Sequence, residues 1–159
     1  MSSMVKGTQQ RQLEYGTQVT KAAALFPQTT TTTLFTVTGG AIYVTSLFGI
    51  ITTATTTDPQ LSLQYTPTAG TAGAFGTTTA IANAEIGAVI GVQPSATYVG
   101  GGALIAQATS AKAGMPMFVP TPMVFGTTGV IQWKTLASVG GAMKWFITYV
   151  PLESGASVA

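Results

Sequence analysis

The stretch Gly129 to Leu152, GVIQWKTLASVGGAMKWFITYVPL, constrains the fold more than any other. Ile131, Trp133 and Thr135 share one parity, and Val130, Gln132 and Lys134 the other. Beyond Gly140-Gly141, Met143, Trp145, Ile147 and Tyr149 alternate with Lys144, Phe146, Thr148 and Val150. A two-residue period sends successive side chains to opposite faces of a strand, so the spacing predicts two strands, read as a β-hairpin turning at the glycine pair. Both tryptophans of the chain fall here. Rings of that size commonly fill the core of a sandwich; the competing reading is a stacking platform for sugars or bases. With Trp145 inside, Phe146 points out between Lys144 and Thr148, and an outward Phe marks a contact surface.

The remaining chain carries the same signature in shorter pieces. Leu34 to Thr38 reads as a strand after the run Thr29 to Thr33, and Gly39-Gly40 is a turn signal. In Ala41 to Thr57, Ile42, Val44, Phe48 and Ile50 share one parity and Tyr43, Leu47 and Ile51 the other. Apolar residues on both parities predict a central strand or one bent at Gly49. Leu61, Leu63 and Tyr65 alternate with Ser62, Gln64 and Thr66, the pattern of a half-buried strand. Pro67 to Gly76 reads as a loop, and Thr77 to Ile86 as a strand or a short helix stopped at Gly87. Ala88 to Val92, Thr97 to Val99, Ala103 to Ala108, Met117 to Val119 and Met123 to Phe125 are further strand pieces. Glu153 to Ala159 reads as a small-residue tail. Eight or nine short antiparallel strands at regular spacing predict an all-β sandwich or barrel over residues 29–159.

Residues 1–28 differ. Three of the six basic residues (Lys6, Arg11, Lys21) lie there, and the apolar residues keep no period. Leu13, Tyr15, Val19, Leu25 and Phe26 give the segment something to bury. The expectation is an extended N-terminal arm that reaches a neighbouring subunit, against the plainer alternative of a disordered tail.

Composition narrows what such a domain does. Only 6% of residues are charged, against about 25% in ordinary domains. Thr, present 29 times, takes the place of Lys and Glu on strand surfaces. With a net charge of +2 little repels a neighbour, and free sheet edges are normally guarded by charge. A surface covered by other subunits fits this composition; a monomer kept soluble by hydroxyls is the alternative. The mean hydropathy of +0.42 does not come from a spanning helix, since the longest apolar runs, such as Leu47 to Ile51, fall far short of about 20 residues. Met1 to Tyr15 has no apolar leader-like core. No membrane role is expected. Six scattered basic residues also argue against a nucleic-acid footprint.

Chemistry is sparse. The chain has no His and no Cys, which removes the commonest general base, the usual zinc and iron–sulfur ligands, and disulfides. The four carboxylates, Glu14, Asp58, Glu85 and Glu153, lie in four different segments, whereas glycoside hydrolysis needs two facing each other. Gly100-Gly101-Gly102 lacks the Lys-Ser/Thr and the strand-to-helix setting of a phosphate loop. No catalytic, cofactor or metal site is expected, and no enzyme.

Two stretches carry a resemblance. Gly141 to Val158, GAMKWFITYVPLESGASV, and Thr33 to Thr53, TLFTVTGGAIYVTSLFGIITT, together about a quarter of the chain, resemble small virion structural proteins of tailed bacteriophages. The resemblance implies a capsid decoration (cement) protein: a homo-oligomer, trimeric by preference, made in the host cytoplasm and seated on the capsid surface, where it clamps major capsid subunits. A tail or head-fibre component and a carbohydrate-binding β-sandwich are the alternatives. The contact residues expected on this reading are Lys6, Arg11, Tyr15 and Lys21 of the arm, and Lys144, Phe146 and Thr148 on the outward face of the last long strand.

Overall fold

The computed structural model describes residues 15–56, 60–78, 83–93, 103–106, 122–137 and 140–159. Apart from a helical Tyr15, the regular elements among them are strands: β1 (Thr17–Leu25), β2 (Thr31–Thr38), β3 (Ile42–Thr53), β4 (Leu61–Pro67), β5 (Gly73–Thr78), β6 (Val89–Gln93), β7 (Ala103–Ala106), β8 (Met123–Phe125), β9 (Gly129–Thr135), β10 (Ala142–Pro151) and β11 (Ser157–Val158).

The strands form two antiparallel layers of five. Sheet I runs β1-β10-β3-β6-β7 and sheet II runs β5-β4-β9-β2-β11. They are joined along one side by the parallel β5–β7 pair, and β8 takes the same side of β3 as β6, at its other end. β1 and β11 end the order unpaired to each other, so the two layers make an open sandwich and not a closed barrel.

The layers are held by the inward parity of each strand. Trp145, Met143 and Ile147 of β10 face Trp133 and Ile131 of β9, all essentially inaccessible. The two indoles meet edge to face with centroids 5.8 Å apart, and Phe26 packs on Trp133 at 5.6 Å. Tyr65 of β4 and Phe75 of β5 close the other end against Phe125 of β8, at 4.5 and 5.6 Å. Burying side chains of this size stabilises the fold by about 1.5–3 kcal/mol apiece. The tryptophans are core residues.

Several sequence expectations change. The stretch Gly129 to Leu152 does form two strands with the predicted parity, but they are not a hairpin. β9 pairs with β2 and β4, and β10 with β1 and β3. The link between them crosses from one layer to the other, which is what brings the two indoles together across the core. Alternation specifies which face a side chain takes, not which strand lies beside it. The Gly39-Gly40 turn is likewise an inter-sheet link, closed by the Glu153 carboxylate accepting the Ala41 N–H at 3.2 Å.

The loop expected over residues 67–76 already contains the start of β5, and Thr77–Thr78 are strand. The helix alternative for residues 77–86 has no support among its described residues. The tail expected over residues 153–159 instead turns back so that β11 and Ala159 pair with β2. Asp58 and the stretches 97–99, 100–102 and 117–119 lie outside the described residues.

The arm boundary expected at residue 28 also shifts. From Thr17 to Leu25 the chain is an edge strand of sheet I, paired along β10. Phe26 is buried beside Trp133, and the buried Thr135 hydroxyl donates to the Pro27 carbonyl. Residues 17–27 are therefore part of the body.

Candidate functional site

The outer face of sheet I is built by the strand alternation. Since Trp145, Ile147 and Tyr149 turn inward, Lys144, Phe146 and Thr148 turn outward, each half-buried. Antiparallel pairing sets Phe146 opposite Phe48, Lys144 opposite Ile50 and Thr148 opposite Ser46 of β3. The Phe48 and Phe146 rings stack with centroids 5.0 Å apart and planes 15° apart. Lys144 Nζ lies 5.1 Å from the Phe146 ring centre, a cation–π contact.

The apolar strip continues through Tyr43 and Val150, which pair with each other, to Val124 of β8, which is 61% exposed. Phe146, expected to point outward, does so, but it is partly covered by its neighbours on this face.

β1 adds its residues beside this strip. Gln18 pairs with Thr148, Thr20 with Phe146 and Lys21 with Trp145. Tyr15, 68% exposed, stands just before β1. Of the described candidate contact residues, Lys144, Phe146 and Thr148 share the outer face of β10, while Lys21 lies on the neighbouring edge strand and Tyr15 just before it. Lys21 shares the register of an inward residue but is exposed at the sheet edge. Lys6 and Arg11 lie outside the described residues. Phe48, half of the ring stack, escaped the sequence reading.

Sheet II presents a different outer face. Gln64 donates to Gln132 at 2.9 Å, Thr66 donates to the same Gln132 oxygen at 2.7 Å, and the Thr38 and Ser157 hydroxyls lie 2.9 Å apart. A shallow groove of about 450 Å³ lies along this side, lined by Thr36, Thr38, Thr66, Pro67, Thr128 and Val130 among others. Its lining offers hydroxyls, backbone and aliphatic carbon, with no titratable side chain and no ring on which a sugar could stack.

Ionisable chemistry is thin throughout. Glu153 is engaged at the β2–β3 turn, and Glu85 sits in the connection that returns the chain to β6. Burial pushes the Tyr65 phenol above its ordinary 10.0, against a smaller lowering by the neighbouring Thr127, whose backbone carbonyl accepts the phenol O–H. Among the described residues no three His, Cys, Asp or Glu groups are placed to hold a metal ion, and no helix is long and apolar enough to cross a membrane. The chain matches no family model, no curated protein and no solved structure.

Proposed function

We propose that this chain is a non-enzymatic structural protein of a tailed-bacteriophage virion that binds the assembled capsid and stabilises it as a decoration protein. The observation that carries the reading is the division of labour between the two outer faces. Sheet II shows water mainly Thr, Ser and Gln side chains, several hydrogen-bonded to one another, with Lys134 and Val130 among them and no aromatic pair. Sheet I shows an aromatic pair, a lysine and aliphatic side chains in one strip, next to the edge strand that holds Lys21. A sandwich needs no third layer for its own stability, so such a strip suits a partner. The likeness of Thr33 to Thr53 and Gly141 to Val158 to virion proteins supplies the class of partner, the major capsid protein. Two of the strands that build the strip, β3 and β10, come from those stretches.

The mechanism is binding alone. A protein that binds the assembled shell and not its separated subunits stabilises the shell by mass action, about 2.7 kcal/mol per site at a free concentration one hundred times the Kd. A homo-oligomer, a trimer on this reading, adds avidity from contacts that are individually weak. The carbohydrate-binding alternative loses its stacking platform, because both indoles are interior.

Light scattering of the purified chain, followed by co-sedimentation with assembled shells, tests the reading. A trimer that pellets with shells and raises their melting temperature is the expected result. A monomer that stays in the supernatant at every shell concentration refutes it.

A further inference from the structure

We infer that the partner surface seated on the outer face of sheet I is acidic, with a carboxylate opposite Lys144, and is not a second copy of this chain. The inference rests on the capsid-binding reading and specifies the chemistry of the contact. No acidic residue occurs in any of the eleven strands. Sheet I, with β8, carries two charged side chains, both cations: Lys144 on the outer face, and Lys21 at the exposed edge in the register of an inward residue. The described carboxylates sit in connections, with Glu153 held by the Ala41 N–H. A copy of the chain docked face to face would bring lysines toward lysines with no carboxylate on either sheet to answer them, and like charges facing each other are unfavourable.

The geometry of Lys144 fits a partner that supplies the missing charge. Its ammonium is held over the Phe146 ring, 5.1 Å from the ring centre, and Phe146 is backed by Phe48. The ring stack orders the cation in advance, so less side-chain freedom is lost when a carboxylate arrives. The remainder of the strip, the Tyr43 ring with Val150 and Val124, asks for largely apolar neighbours around that carboxylate.

The size is also right. Four strands about 4.8 Å apart and about ten residues long at about 3.3 Å each give a face of roughly 600 Å². Counted on both partners this is about 1,200 Å², the lower end of specific interfaces. A contact of that size binds modestly once and firmly when repeated around a shell.

The test uses the full chain and empty shells assembled from the major capsid protein. Wild type, Lys144→Glu, Lys144→Gln and Phe146→Thr are co-sedimented at 50 and 300 mM NaCl, and self-association is followed in parallel by sedimentation velocity. Tryptophan emission checks that each variant keeps its core. The expected result is a loss of shell affinity of about tenfold or more for Lys144→Glu and Phe146→Thr. A several-fold weakening of wild type by salt is also expected, and it flattens in Lys144→Gln.

Wild-type binding left unchanged by Lys144→Glu overturns the acidic-partner inference and leaves the capsid reading standing. So does self-association of the wild type that Phe146→Thr abolishes, because the occupant is then a second copy. Wild type that never pellets refutes the capsid reading itself, and the inference with it. If Phe146→Thr does not fold, the two Lys144 variants, which alter only an outward side chain, decide the matter.

Discussion

Gly49 lies in the middle of β3, opposite Trp145. From sequence alone it is a natural place for a bend. In the structure β3 runs through it, the register with β10 is unbroken on both sides, and its φ is not in the left-handed region. What the position lacks is room. A Cβ there would overlap Met143 Sδ and come within 2.9 Å of Met143 Cγ and 3.2 Å of Trp145 Cδ2. Carbon atoms pack best at about 3.5–4.0 Å, so the thioether must move by more than an ångström within a core where Met143 and Trp145 are fully buried.

Overpacking of this kind costs about 1–3 kcal/mol. Gly49→Ala should therefore lower the urea midpoint by about 1 M for an m-value near 2 kcal/mol/M. Tryptophan emission is the natural signal, since both indoles report on this core. Met143→Ala alone should cost about 2–5 kcal/mol through its cavity. In the double variant the new methyl occupies part of the space the thioether leaves, so the two costs should fall short of their sum by at least 0.5 kcal/mol, the size expected for contacting residues. Gly49→Ala within 0.5 kcal/mol of wild type, or strict additivity in the cycle, would refute the steric account of this glycine.

Other outcomes follow from the same packing. Deleting residues 1–27 should unfold or aggregate the chain, because it bares the β10 edge and removes Phe26 from Trp133; a soluble sandwich with native emission would contradict the placement of β1 in the body. Phe26→Ala by itself should cost about 3–5 kcal/mol in urea unfolding. Because the folded-state pKa of Tyr65 is raised, its phenol favours the folded protein fully below pH 10. That contribution is lost as pH climbs from the unfolded value through the folded one, so stability should fall in this alkaline range and Tyr65→Phe should flatten the fall. Tryptophan emission of the wild type should be blue-shifted and indifferent to added oligosaccharides; a glycan-dependent shift or quench would reopen the lectin alternative.

The candidate surface shows where local pattern stops being informative. For β10 the parity of the sequence placed Lys144, Phe146 and Thr148 outside correctly, because this strand keeps its period from Met143 to Val150. For β3 the same logic grouped Ile42 and Val44 with Phe48 and Ile50. In the structure Ile42, Val44, Leu47 and Ile51 are buried while Tyr43, Phe48 and Ile50 face outward. The cause is the irregularity that leaves Thr45 between the Val44–Tyr149 and Ser46–Thr148 pairs. One extra residue exchanges the two faces for everything beyond it, and nothing in VTSL announces it. Phe48 was missed as the partner of Phe146 for that reason.

What the sequence determined alone is the class of fold, the burial of both tryptophans, the outward set on β10 and the poverty of ionisable chemistry. Each of these follows from residue type and a period of two, which act over a few neighbouring residues. What only the tertiary structure decided is which strands are neighbours: the crossing of the Gly140-Gly141 link between layers, the capture of residues 17–27 into the body, and the meeting of Phe48, Phe146 and Lys144 on one face. Those depend on contacts between residues about a hundred positions apart. Backbone hydrogen bonding is the same for every strand pair, so the choice among partners falls to the packing of whole layers, a property that no local window of sequence contains.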